Sequence, residues 1–111
     1  MKKISKPWGS EEIWAHTEQY VGKIIHIIAG NKLSLQYHEE KIETIYVIKG
    51  PMILEGRENS PIVLNETDSY HIPTGVVHRF CAPPENDVVL VEVSTPELND
   101  VVRIQDDYGR V

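Results

Sequence analysis

The sequence has little of what marks secreted, membrane or nucleic-acid-binding proteins. A single cysteine, Cys81, stands among 111 residues, so no internal disulfide can form and a reducing cytoplasm is the expected compartment. No apolar run approaches the roughly 18 residues of a membrane span. The basic start MKKISK precedes no apolar core, so we expect no signal peptide. With a net charge of −6 and scattered lysines and arginines, a nucleic-acid partner is not expected.

The composition is that of an ordinary globular domain. Hydrophobic residues make up 41% and charged residues 25% of the chain, which is enough to build one core. A chain of this length is too short for two cores. We therefore predict one domain over residues 1–111, with an N-terminal arm over about 1–20, a barrel over about 20–95 and a C-terminal tail over about 96–111.

Short segments rich in Val, Ile and Tyr recur along the chain, each bounded by Gly, Pro, Asn or Asp. This pattern predicts an all-β fold, a sandwich or a small barrel, because no segment shows a sustained helical stripe. The tail sequence LNDVVRIQDDYGR predicts a short turn and a last strand. The eight main predicted strands are YVGKIIHII, LSLQYH, ETIYVIKG, PMILEG, PIVLN, SYHIP, VVHRFCA and VVLVEVS.

Polar side chains of metal-ligand type interrupt two of these strands. Gln36 and His38 share one face of their strand, because side chains two residues apart point the same way. Glu43 has the parity of the apolar core positions in ETIYVIKG. If EEKI connects the two strands, these three side chains converge. The turn PTG leads to His78, and its glycine permits the backbone angles of a sharp turn.

These spacings resemble two motifs of the cupin superfamily. Gln36-x-His38 and Glu43, between two glycines, resemble the first motif, and PTGVVH resembles the second. The resemblance implies a double-stranded β-helix of jelly-roll type that holds one divalent metal through Gln36, His38, Glu43 and His78. Zinc is the first expectation, with cobalt, nickel, manganese and iron as alternatives. Gln36 stands where most cupins have histidine, and Thr67 stands where glycine is common.

The resemblance extends over most of the chain. KPWGSEEIW, YVGKI, LSLQYHEEKIETIYVIKG, YHIPTGVVHRF and DVVRIQDDYGR are together similar to the type II phosphomannose isomerase domain, which follows a mannose-1-phosphate guanylyltransferase in larger bacterial enzymes. This implies a metal-dependent isomerase of a small sugar phosphate, converting mannose 6-phosphate and fructose 6-phosphate through an enediolate. Two alternatives stay open. One is a non-catalytic metal- and sugar-binding cupin module, and the other is an iron-dependent dioxygenase, which Gln36 disfavours.

The residues that would move a proton in such an isomerase are less clearly marked. Lys23 lies in a strand where alternation can turn it inward, and Glu92 interrupts the apolar run VVLVEV. His71 is close in sequence to the second motif. All three stay candidates for the general base, and Lys23 is also a candidate for orienting the sugar.

Three arginines are candidates for binding the phosphate, because a guanidinium fork matches phosphate oxygens. Arg103 and Arg110 lie in the tail, whereas Arg79 follows His78 and alternation turns it to the other face of its strand. A minimal barrel also leaves sheet edges that natural proteins cover. Because the segment before Gly30 can reach a partner, we predict a two-fold homodimer.

Overall fold

The computed structural model describes residues 2–56 and 61–110, and all helices and strands assigned within these ranges are β-strands. The all-β prediction is therefore confirmed over the described residues. In chain order the strands are β1 (Lys2–Lys6), β2 (Gly9–His16), β3 (Val21–Ile27), β4 (Leu35–Tyr37), β5 (Glu43–Lys49), β6 (Met52–Glu55), β7 (Ile62–Leu64), β8 (Ser69–Ile72), β9 (Arg79–Cys81), β10 (Val88–Ser94) and β11 (Val102–Gln105).

The strands form three antiparallel groups. The main sheet has six strands in the order β1-β2-β3-β10-β5-β8. A three-stranded sheet has the order β7-β6-β9, and β11 pairs with β4. Neighbours that are far apart in sequence, such as β3 and β10, bring the two ends of the barrel sequence together, so the inward side chains of many segments meet in one interior.

The interior of the barrel is apolar at one end and polar at the other. Along β5, Ile45 and Val47 are buried and Tyr46 and Ile48 are exposed, as the period of two in a half-buried strand requires. Glu43 has the same parity as the buried pair and is itself buried. The apolar core is formed by Trp8, Ile25, Ile27, Leu33, Ile45, Val47, Met52, Leu54, Leu64, Ile72, Phe80, Ala82, Val88 and Leu90.

The segment predicted as an N-terminal arm contributes two strands to the main sheet. Strand β1 pairs with β2, and β2 pairs with β3 along nearly its whole length. Gly22 lies where a side chain would collide with the ring of Trp14, since an added Cβ would be 2.5 Å from it. The glycine therefore lets the indole approach the backbone of β3 closely.

The turn before His78 has the predicted tight geometry. Gly75 has a φ of +77°, a left-handed conformation that glycine adopts without steric cost. Its amide donates a hydrogen bond to the carbonyl of His38 at 2.8 Å. The turn is thereby joined to the end of β4. Within the described ranges, no helix has the length and apolarity needed to cross a membrane.

Candidate metal centre

Three buried side chains converge in the polar end of the barrel. His38, Glu43 and His78 each present a ligand atom, and these atoms all lie within 4.8 Å of one another. Oε1 of Glu43 is 3.2 Å from Nε2 of His38 and 2.9 Å from Nε2 of His78. All three residues are at most 4% exposed. The structure thus brings together three of the four ligands predicted from the sequence.

Strand ends position these side chains. His38 directly follows β4, Glu43 is the first residue of β5, and His78 immediately precedes β9. Two backbone hydrogen bonds join Gln36 to His78, at 3.0 and 2.8 Å. Facing residues of such a pair carry their side chains on the same side of the sheet, which places the fourth predicted ligand, Gln36, beside His78.

Backbone carbonyls fix the tautomers of both histidines. Nδ1 of His38 lies 2.6 Å from the carbonyl oxygen of Asp100, and Nδ1 of His78 lies 2.8 Å from that of Val76. Because a carbonyl only accepts hydrogen bonds, each Nδ1 carries a proton. In the neutral imidazoles, both Nε2 lone pairs therefore face the centre of the cluster.

This arrangement fits a bound cation. The two Nε2 lone pairs and Oε1 of Glu43 are all acceptors, and Nε2 of His78 is buried with no hydrogen-bond partner in the described structure. A divalent cation among them satisfies all three, whereas metal-free imidazoles would need a second proton. Two imidazoles and a carboxylate are donors that zinc and other divalent transition metals accept. Gln36, whose Oε1 lies 3.2 Å from the hydroxyl of Ser34, lines the same cavity.

A buried lysine adjoins the cluster. Nζ of Lys41 is 3.3 Å from Oε2 of Glu43 and 3.3 Å from Oε2 of Glu92. Burial opposes the charge of Lys41, but the two carboxylates outweigh it and raise the lysine pKa. Burial likewise opposes the charge of Glu43, yet the imidazoles and Lys41 hold its pKa well below the usual range. Burial, followed by the charge of Glu43, raises the pKa of Glu92 to about 8.

The cluster opens into a cavity of about 100 Å³. Cationic groups from distant parts of the chain line it, namely Lys6, Lys23, Lys41, Arg103 and Arg110. Lys23 is buried, and its Nζ lies 3.5 Å from Oε1 of Glu11. Such a cavity is chemically suited to an anionic, oxygen-rich molecule.

Two of the three candidate bases lie in this cavity. Lys23 and Glu92 face each other across β3 and β10, and both are buried cavity-lining residues. The structure does not bring His71 to the site. Ile72, not His71, pairs with Glu43, so His71 points to the outer face, where its Nδ1 lies 3.0 Å from the hydroxyl of Thr44.

Two of the three candidate arginines also line the cavity, and the third does not. Arg103 and Arg110 line the cavity. Arg110 is held by Asp106, with Nε and Nη2 donating to the two carboxylate oxygens at 3.0 and 2.9 Å. Arg79 is buried elsewhere, because its guanidinium turns to the carbonyl of Gln105 at 3.2 Å and away from the metal cluster. The alternation argument had placed Arg79 on this opposite face.

Sequence reasoning missed two residues that border the cluster. Lys41 lies in the connection between β4 and β5, where a charged side chain ordinarily faces solvent. Asp100 lies in the tail and accepts hydrogen bonds from the backbone of that connection. Neither position has a motif signal, since both depend on how the tail folds back. One signal could have found Lys41, because it has the same parity as the buried residues Glu43 and Ile45.

Comparisons with known proteins identify the family of this chain. Residues 1–106 match the family described as Mannose-6-phosphate isomerase C-terminal. The chain is 32% identical over 112 residues to the xanthan biosynthesis protein XanB of Xanthomonas campestris, covering 98% of this chain and 24% of that protein. It is 33% identical over 115 residues to the mannose-1-phosphate guanylyltransferase ManC of Salmonella typhimurium, covering 99% of this chain and 23% of that protein. The chain therefore spans about a quarter of the length of these relatives.

The solved structures agree on the fold. A cupin-like protein from Thermotoga maritima superposes with a TM-score of 0.78 at 18% identity, over 87% of this chain and 76% of that one. At this identity the likeness concerns the fold alone. The barrel described above is thus a cupin double-stranded β-helix, as the two motifs predicted.

Proposed function

The chain belongs to the mannose-6-phosphate isomerase C-terminal family, and we propose that it interconverts mannose 6-phosphate and fructose 6-phosphate with the help of one divalent metal ion, zinc in the first instance. The observation that carries the proposal is the position of the His38–Glu43–His78 cluster. It opens into a cavity that also contains a buried carboxylate, Glu92, and the guanidinium groups of the tail. A cluster without these neighbours would support metal binding alone.

The chemistry begins with the donor set. His38, Glu43, His78 and Gln36 would hold the metal, which when bound polarises the sugar carbonyl and offsets the negative charge of the enediolate. Gln36 is a neutral amide in a position where most cupins place an imidazole. Since an amide oxygen is a weaker donor, the site favours Lewis-acid chemistry over redox chemistry.

Glu92 is the group that we assign to proton transfer. Aldose–ketose isomerisation removes the proton at C2 and returns it to C1, so the base must lie beside the bound sugar. Oε2 of Glu92 is buried in the cavity wall, where Nζ of Lys41 lies 3.3 Å from it. Because burial, followed by the charge of Glu43, raises its pKa to about 8, this carboxyl group can accept the proton from one carbon and release it to the next near neutral pH.

Other side chains of the cavity would bind the substrate. Lys23, opposite Glu92 in the sheet, is placed to donate hydrogen bonds to sugar hydroxyl oxygens. Arg103 and Arg110 approach from the tail and are suited to the phosphate group. The tail would then contribute to substrate binding and also close one wall of the cavity.

The experiment that tests the proposal is proton NMR of mannose 6-phosphate in D₂O with the metal-reconstituted protein. We expect fructose 6-phosphate and deuterium at the exchanged carbon with the wild type. The His38→Ala variant should give neither, whereas His16→Ala, which removes an exposed histidine outside the cluster, should behave as the wild type. Glu92→Gln should bind metal and lose the exchange of deuterium.

Two results would contradict the proposal. If the metal-loaded protein leaves mannose 6-phosphate unchanged, the chain is a metal- and sugar-binding module or acts on a different sugar. If His38→Ala converts the sugar as fast as the wild type, the metal cluster has no part in the reaction.

A further inference from the structure

Lys41 lies between two buried carboxylates that have different tasks. Its side chain is 6% exposed, and Nζ is 3.3 Å from Oε2 of Glu43 and 3.3 Å from Oε2 of Glu92. A lysine is seldom so deeply buried unless it is paired. The three side chains form a buried chain of charges that begins at the metal cluster and ends at the proposed base.

The two carboxylate oxygens of Glu43 have different partners. Oε1 faces the Nε2 atoms of His38 and His78 at 3.2 and 2.9 Å, whereas Oε2 faces Lys41. A carboxylate can bind a metal through one oxygen or through both. With Oε2 held by the lysine, Glu43 offers one oxygen to the cluster and leaves room for a substrate oxygen.

The same ammonium restrains Glu92. This carboxylate projects from β10 on the inner face, two residues from Ser94, the residue that pairs with Glu43. Nζ of Lys41 lies between this carboxylate and that of Glu43, so without the lysine Glu92 would be the acidic group next to the metal cluster. Lys41 holds its Oε2 at 3.3 Å and so keeps the carboxylate available to the sugar.

The backbone of Lys41 is itself fixed. Its amide donates a hydrogen bond to Oδ2 of Asp100 at 2.9 Å, which ties the β4–β5 connection to the tail. The lysine therefore enters the cavity from an anchored loop, and its ammonium group does not depend on a flexible surface segment for its position.

We propose that Lys41 is a positioning residue that limits Glu43 to single-oxygen coordination and keeps Glu92 out of the metal coordination shell. The part that concerns Glu92 as a base rests on the proposed isomerase function. The part that concerns metal coordination does not, and it has its own measurement. An arginine at this position can make both contacts, whereas a methionine of similar length can make neither.

The test uses Co²⁺ as the metal, because its visible absorption reports coordination number and ligand set. We expect Lys41→Met to change the Co²⁺ spectrum, because the metal gains the second oxygen of Glu43 or an oxygen of Glu92 as a ligand. Lys41→Arg should retain the wild-type spectrum. Isomerase kcat should fall about 10–100-fold in Lys41→Met with KM changed by less than about threefold, and Lys41→Arg should restore most of kcat. Lys49→Met, an exposed lysine of β5, is the matched control.

A charge-balanced variant guards against loss of folding. Lys41→Met leaves two buried carboxylates without a cation, so Lys41→Met/Glu92→Gln removes one charge of each sign and should fold. Its Co²⁺ spectrum should also differ from that of Glu92→Gln alone, because Oε2 of Glu43 is released. Identical spectra in this pair, or a wild-type spectrum in folded Lys41→Met, would overturn the proposal.

The outcomes separate this inference from the proposed function. A changed spectrum in Lys41→Met, with no turnover even in the wild type, supports the positioning role and removes the isomerase. The converse result is that the wild type turns over the sugar while Lys41→Met keeps both the Co²⁺ spectrum and kcat of the wild type. That result supports the isomerase and excludes the positioning role.

Discussion

The carbonyl oxygen of Asp100 lies 2.6 Å from Nδ1 of His38, so a residue of the C-terminal tail orients an imidazole of the candidate metal centre. The side chain of the same aspartate accepts three backbone hydrogen bonds, from the amides of Glu39, Glu40 and Lys41 at 3.1, 2.7 and 2.9 Å. The amide of Glu40 first, with the other two, lowers the pKa of Asp100. One tail residue thus holds both the ligand and the loop that follows it.

Asp100→Ala should weaken metal binding by about 10–100-fold, as is typical when a group that orients a metal ligand is lost. The loop would be released, and the carbonyl would no longer be held against His38. Competition with a chromogenic chelator measures the affinity. Asp107→Ala, which removes an exposed acid of the same tail that pairs with Lys32 at 3.4 Å, should bind as the wild type does. Equal affinity in Asp100→Ala and the wild type would show that the tail does not orient the ligand.

Arg110→Ala should raise KM for mannose 6-phosphate about tenfold or more, since a charged hydrogen bond to phosphate is lost. Asp106→Ala is the informative comparison, because it releases Arg110 from its two side-chain hydrogen bonds and leaves the guanidinium in place. Steady-state kinetics should give a smaller rise in KM for Asp106→Ala. Equal effects in both variants would mean that Arg110 only anchors the tail.

Thr67→Gly should stabilise the fold. Thr67 has a φ of +74°, a conformation that costs a β-branched residue about 1–3 kcal/mol, while glycine costs about 0.5–1 kcal/mol in backbone entropy. A gain of about 1 kcal/mol in urea unfolding is expected from the difference. The matched variant Thr74→Gly changes an exposed threonine without a positive φ and should lose stability. A loss in Thr67→Gly as well would contradict the strain at this position.

Acid should weaken the fold partly through Asp106. Hydrogen bonds from the Arg110 side chain, followed by its backbone amide, lower the pKa of Asp106 to about 2, below the value of about 3.9 expected in the unfolded chain. Its contribution is therefore fully present above about pH 4 and is lost as the pH falls towards about 2. Urea unfolding at about pH 5 and about pH 2.5 should show a smaller loss for Asp106→Asn than for the wild type. The same loss in both would exclude this pair as a source of acid sensitivity, and Asp107→Asn serves as the neighbouring control.

Local spacing predicted the inward face of Glu43, and the resemblance to the two cupin motifs supplied the full ligand set. Period-two alternation placed Glu43 on the inner face of β5 with Ile45 and Val47, and all three are buried. Ile72 of β8 pairs with Glu43 and therefore faces inward with it. Alternation along β8 then turns the preceding residue, His71, outward. The sequence alone did not reveal this partner, so His71 stayed a candidate until the register was known.

Features that depend on distant pairing were not accessible from the sequence. The hairpin of β1 and β2 carries many polar residues, and its strand character comes from pairing with β3 instead of from its own apolar pattern. The amide of Lys41 is bonded to Asp100, far along the chain, and no local pattern predicts that contact. The homodimer and the identity of the metal stay predictions, which sedimentation velocity and metal analysis of the purified protein test.

The measurement that tests the central claim most directly is the number of metal ions bound per chain. Co²⁺ titration of the wild type, followed by absorption and elemental analysis, should give one ion per chain. His38→Ala and His78→Ala should each abolish tight binding, while His16→Ala should retain it. A wild-type chain that binds no metal, or one that keeps its ion without either cluster histidine, would contradict the account of this site.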